Sequence, residues 1–473
     1  MKKIFMAGFA RADVTPEKGG IPLAGYGATH LRLAARVLDP LYVHTVALRR
    51  GDETQIIQTF DFIHMPTALY RDIQKAVSEA TGVPGECVFA GGTHTHSGPD
   101  VSGNAESIEN YLKNEVVPKA ARAACAAIAD LKPAKIFYGA IETGSPGARL
   151  NFVRHYKMVP TAKKDNYTEE DIVFAGDNLN EEYFKSPDWY CVGHEEEADH
   201  ALQVVRFVRD AADDIVMMNY GAHATLAGSN NKSDMSPDFP GAAVKRLEEL
   251  LPDVKCTYLQ GFCGNMNTTT RLPEEGILGL TRKKRLPRVY GSVIAAYAYE
   301  TLTVPGMMKE SGTSVLSHRR RTIVAPRDHS MDRLYNEAKD LQERYLKEGA
   351  TPEVVAACKA RGFSSPYHCN WVVVKKDRPK TGEIEICALR FGDVGMAAAP
   401  FEMFCGTGRR IKEKSPLPMT LVKGYSCGHQ SYLPSLGSCP YSYEGVSTAY
   451  EFGTAEKLEK EFSEMLYELA EEK

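Results

Sequence analysis

The sequence predicts an α/β protein with mixed β-sheets flanked by helices. Three observations predict it. Apolar runs of strand length alternate with amphipathic helical stretches from end to end. Several of those runs break into Gly, His or Pro, as strands do where they enter a loop. With 43% hydrophobic residues, 473 residues are enough to bury a large core. Length alone would suit two or three average domains or one large unit. No repeat, Gly/Ser linker or compositional break is apparent, so residues 1–473 read as a single large domain.

Taken in order, "KIFMAGFARADVTP" is a strand stopped by Pro16, and "LYVHTVALRR" and "TQIIQTFDFI" form a hairpin turning at Gly51 and Asp52. Tyr70, Ile73, Ala76 and Val77 repeat at helical spacing, predicting a helix over 66–81. "CVFAGG" is then a short buried strand, 105–130 a long helix with a kink or break at Pro118, and "AKIFYGAIETG" the next strand. Residues 158–198 are polar and weakly periodic and read as a surface insertion over a site. Beyond them come strand 214–224, helix 240–251, strand "KCTYLQGF", helix 287–302 and strand "TSVLSHRRRTIV". Helices at 331–347 and 352–360, strands "EIEICALRF" and "VGMAAAP", a helix 402–413, strand "MTLVKGY" and an acidic terminal helix complete the chain.

A net charge of −4 offers no basic field for a phosphate backbone, and the cluster at 281–288 is only local, so no nucleic-acid partner is expected. Arg11 and Asp13 interrupt the N-terminal apolar run before a signal-peptide core is complete, and no stretch reaches the roughly 18 apolar residues of a membrane span. Eleven scattered cysteines without a C-x-x-C pair argue for reduced thiols and a cytoplasmic location.

Three segments carry candidate chemistry. In "GGTHTHSGP", His94 and His96 are two apart after a strand, so both imidazoles can face one cavity and either can meet a metal, with Thr93, Thr95 and Ser97 orienting the rings. "MMNYGAHATLAG" ends another strand in His223. "GMAAAPFEMFCGTGRRIK" places Glu402 where a helix would open, favourable for a carboxylate at the positive end of the helix dipole. Two neutral imidazoles and a carboxylate suit a catalytic zinc that keeps one position open. "HEEEADH" at 194–200 lacks the second histidine of H-E-x-x-H and reads as a solvated charge run. Neither G-x-S-x-G, a P-loop nor a dinucleotide fingerprint is present.

"GYG" after "ARADVTP", "GTHTHSGP", the "HAT" strand end, "PFE…GRR" and the late "YEG" together resemble the catalytic domain of neutral, non-lysosomal ceramidases over residues 6–455. That resemblance implies a Zn²⁺ held by His94, His223, Glu402 and Tyr432, with His96 facing substrate. It further implies that Tyr443 and Arg154 bind the amide and its neighbours. The chain departs from the family at "GNMNTT", where Asn267 stands in place of a serine, at the Tyr432 to Tyr443 spacing, one residue shorter, and in ending without a C-terminal β domain. The expected activity is zinc-dependent hydrolysis of an amide, a small-molecule or lipid-like N-acyl amine, by metal-activated water. An ester, lactone or phosphoester hydrolase using Arg154, Arg409 and Arg410, and a non-catalytic zinc- or lipid-binding homologue, are the alternatives. The oligomeric state stays open.

Overall fold

The structure, a computed structural model, describes residues 3–17, 19–26, 32–144, 149–176, 183, 186–269 and 286–472. Most of the basic cluster at 281–288 lies outside these.

Strand Phe5–Asp13 pairs antiparallel with Tyr42–Arg50, which turns through Gly51 at φ 62° into Glu53–Phe60. Glycine meets the positive φ of that tight turn without steric cost. Helix Thr67–Thr81 buries Leu69, Tyr70, Ile73 and Val77, and the chain returns parallel to Glu53–Phe60 as Val88–Gly92. A helix ending at Ala129 follows. The same order then recurs: strand Lys132–Glu142, hairpin Ala201–Arg209 and Asp214–Tyr220, helix Asp238–Leu250, parallel strand Val254–Gln260, helix Pro287–Thr303. It recurs once more as strand Leu316–Pro326, hairpin Thr381–Phe391 and Val394–Ala398, helix Cys405–Lys414, parallel strand Met419–Lys423, helix Thr454–Ala470. The described chain is therefore one topology used three times, which the sequence did not disclose.

That topology decides where function can sit. Within each unit the first strand ends, the hairpin starts and both parallel strands finish at the same end of the sheet. The insertion after each first strand, at 14–41, 143–200 and 327–380, opens there too.

Units one and two share one sheet, in the order Val254–Gln260, Asp214–Tyr220, Ala201–Arg209, Lys132–Glu142, Phe5–Asp13, Tyr42–Arg50, Glu53–Phe60, Val88–Gly92. His44, on the sixth strand of that order, donates from Nδ1 to Cys256 O on the first at 3.1 Å. Flat strands spaced ~4.8 Å apart would hold them roughly 24 Å apart, so the sheet is strongly curled. The third unit's sheet packs against it, with Leu389, Phe391, Val394, Met396 and Leu421 sharing a core with Val43, Val46, Phe207 and Met217.

Three expectations change and one element is added. The 105–130 helix is not broken at Pro118; a π turn at Leu112–Val116 lies between Glu106–Tyr111 and Val117–Ala129, and its shifted hydrogen bonding accommodates the missing proline donor. Glu402 does not open a helix: it lies in the short strand Glu402–Met403, parallel to Tyr432–Leu433, and the helix starts at Cys405. A further helix, Pro366–Lys376, is capped by Ser365, whose Oγ accepts from His368 N. The insertion holds a three-stranded sheet of His155–Pro160, Val173–Gly176 and Trp189–His194, and its inner end is buried rather than superficial. No helix among the described residues is long and apolar enough to cross a membrane.

Candidate metal centre

Each unit sends one residue to a common point. His94 follows strand Val88–Gly92, His223 follows Asp214–Tyr220, and Glu402 lies four residues beyond Val394–Ala398. His94 adopts φ 64°, with its N–H on Phe62 O at 2.9 Å. Tyr425, at the matching place beyond Met419–Lys423, has φ 54° and bonds Phe401 O at 3.2 Å, and its ring stacks on His94 at 3.9 Å. Left-handed backbone at two bulky residues is strain of the kind that persists at functional sites. The curled sheet brings His94 and His223 to a ring separation of 4.5 Å.

The hydrogen bonds fix which ring nitrogens face inward. His94 Nδ1 meets Ile63 O at 2.7 Å, His96 Nδ1 meets Gly25 O at 2.9 Å, and His223 Nδ1 meets Met266 O at 2.8 Å. A carbonyl only accepts, so each Nδ1 carries the proton and each neutral ring turns an Nε2 lone pair inward. Backbone carbonyls thus do the orienting expected of the hydroxyls: Thr93 Oγ1 instead donates to Asp61 and Thr95 Oγ1 to Ser236 O.

His94 and His96 Nε2 lie 3.2 Å apart, and Glu402 Oε2 lies 3.3 Å from His94 Nε2 and 3.5 Å from His223 Nε2. Among the described residues no hydrogen-bond donor reaches Glu402 Oε2, which is buried. Burial pushes the pKa of His94 and His96 well below the usual imidazole value and that of His223 to about 3, while raising Glu402 to about 8. So many converging acceptors, with only the phenols of Tyr425 and Tyr432 among the described residues to donate to them, are costly alone and fit a cation. The ligand atoms of His94, His96 and His223 lie within 4.8 Å of one another, so all three could hold a metal. His96 is the most accessible of the three.

Tyr432, Arg154 and Tyr443 adjoin this cluster. Tyr432 OH is 3.4 Å from His223 Nε2, and Arg154 Nη2 lies 3.4 Å from the same phenol while donating to Gly264 O at 3.1 Å. Tyr443 meets the Tyr432 ring edge-on at 5.7 Å and stacks on Tyr367 at 4.6 Å. All seven residues selected from the sequence therefore form one cluster.

Sequence reasoning missed the groups that hold it. Glu444 pairs with Arg154 and accepts from His155 Nε2 at 2.6 Å; His155 Nδ1 reaches Glu195 at 2.8 Å. Tyr26 presents its ring to His96 at 5.4 Å, and Arg32 donates to Ala24 O and to His96 O. The three insertions supply Tyr26, Arg154 and Tyr367, one each. "HEEEADH" is not a solvated run: Glu195 also accepts from Cys439 N, Glu196 from Asn265 Nδ2 at 2.6 Å, and Asp199 from Lys412 Nζ at 2.7 Å. Their partners are remote in the chain, so no local signal marked them. Arg409 and Arg410 are engaged by Glu197, Glu456 and Glu459.

Fold and site together define a class: α/β proteins built from three like units around a buried imidazole and carboxylate centre. Among solved structures the chain is similar to neutral ceramidase from Pseudomonas aeruginosa, with a TM-score of 0.70 and 19% identity, covering 100% of this chain and 75% of that one. It is similar also to a ceramidase complexed with C2, with a TM-score of 0.68 and 18% identity, covering 99% of this chain and 76% of that one. The neutral ceramidase fold thus runs the full length of this chain. No family model and no curated protein matches it.

Proposed function

We propose that this protein is a zinc-dependent hydrolase that cleaves an amide, and that His94, His223, Glu402 and Tyr432 hold the metal. The observation that carries the reading is the convergence of inward Nε2 lone pairs on a carboxylate oxygen with no hydrogen-bond donor. When bound, zinc would supply Lewis acidity toward a carbonyl and toward water. The chain's own residues do the rest. His96, fixed by Gly25 O and with its Nε2 turned toward His94, would accept and return a proton at the reacting bond. Arg154 and the Tyr443 hydroxyl are placed to donate hydrogen bonds to a polarised carbonyl and to orient the amine. Amide hydrolysis is the reaction of a ceramidase, and the likeness in fold to two ceramidase structures supports that bond as the target. We place the protein in the cytoplasm on the strength of its eleven unpaired thiols.

A phosphoester substrate fits less well. Arg154, Arg409 and Arg410 are each engaged by carboxylates, so none of these three brings an uncompensated charge to an anionic group. Zinc-loaded protein assayed on matched N-acyl amines, esters and phosphoesters should prefer the uncharged carbonyl substrates, amides first. Turnover of the phosphoesters alone would refute the reading.

A further inference from the structure

His155 is buried completely and is held at both ring nitrogens by carboxylates, Glu195 on Nδ1 and Glu444 on Nε2. Ionised carboxylates accept and do not donate, so both nitrogens must carry protons and the ring is an imidazolium. Glu444 turns its other oxygen to Arg154, whose Nη2 touches Tyr432 OH. The four groups alternate in sign, Glu195, His155, Glu444, Arg154, and their formal charges cancel. Without the imidazolium, two carboxylates and one guanidinium would leave a net negative charge buried behind the candidate metal centre, and Glu444 would lose one of its two cationic partners. The geometry is costly to build and spans two elements: His155 and Arg154 belong to the 143–200 insertion, whereas Glu444 lies in the first turn of the short helix Tyr443–Ser447.

We propose that His155, as a permanent imidazolium clamped between Glu195 and Glu444, is a positioning residue that fixes Glu444 on Arg154 and so aims the guanidinium at the reaction site. Its kinetic consequence rests on the hydrolase reading; its charge state does not. Tyr443, adjacent to Glu444, is anchored by the same clamp.

The test uses the full-length, zinc-loaded protein. Histidine ¹⁵N NMR at about pH 8, where an unperturbed imidazole is neutral, should show one ring protonated on both nitrogens, and that signal should vanish in His155→Gln. H155Q should keep its zinc but lose about 10–100-fold in kcat with little change in KM, as loss of an orienting partner does. Adding Arg154→Ala to H155Q should cost little more. If H155Q fails to fold, Glu195→Gln, which leaves the ring and its Glu444 contact in place, gives the kinetic comparison. A neutral His155 at about pH 8, wild-type kcat in the folded variant, or losses that multiply in the double variant would overturn the proposal. A doubly protonated His155 in a protein inert toward amides would uphold the clamp and overturn the hydrolase reading.

Discussion

At Gly25 there is no room for a side chain: an added Cβ would stand 2.6 Å from His96 Cγ, on a backbone at φ +105°. The residue's carbonyl is also what orients His96. Gly25→Ala is therefore expected to tilt the His96 ring, lowering kcat by about tenfold or more while zinc content stays unchanged. Kinetics beside metal analysis check this, and loss of zinc with kcat would show instead that His96 is needed for the metal. His94 and His96 were legible in the sequence because their motif is local and its glycines mark a close approach. Glu444, His155 and Glu195 were not, since their partnership joins residues up to 289 positions apart and no single segment records it.

Between elements, the clamp ties the second unit's insertion to helix Tyr443–Ser447, and its titration sets a pH window. Burial alone would raise the Glu444 pKa, but Arg154 and then His155 bring it from 4.5 down to about 2. Burial alone would lower that of His155, but Glu444 and Glu195 raise it from 6.5 to about 10. Glu444 contributes stability above pH 4.5 that is lost as pH falls toward 2, whereas the contribution of His155 is complete below 6.5 and is lost as pH rises through 10. The gap in denaturation midpoint between wild type and H155Q should thus be widest between pH 4.5 and 6.5 and close toward both extremes. A gap independent of pH would show that packing, not charge, makes the difference. The elements themselves were largely readable, because periodicity two or 3.6 is imposed by burial. Glu402 was misplaced into a helix because its pairing partner, strand Tyr432–Leu433, lies 30 residues on.

On the scale of the whole molecule, three copies of one topology meet through a curled sheet and a second sheet packed against it. The repetition was invisible in the sequence since burial constrains only which positions are apolar, and each unit meets that constraint with different residues. The site falls at the junction because that end of every unit collects its loops and its insertion. Phe391 lies at the contact between the sheets, fully buried and 5.9 Å from the Phe207 ring. Phe391→Ala should cost about 3–5 kcal/mol in chemical denaturation; a cost below about 1 kcal/mol would mean the sheets do not share a core. The central claim, that residues from all three units meet around one cation, is tested most directly by metal content. Purified full-length protein exchanged into zinc and freed of excess should carry one zinc per chain, and His94→Ala, His223→Ala and Glu402→Ala, folded by circular dichroism, should each carry far less. Wild-type protein without stoichiometric metal, or variants that retain it undiminished, would contradict the account.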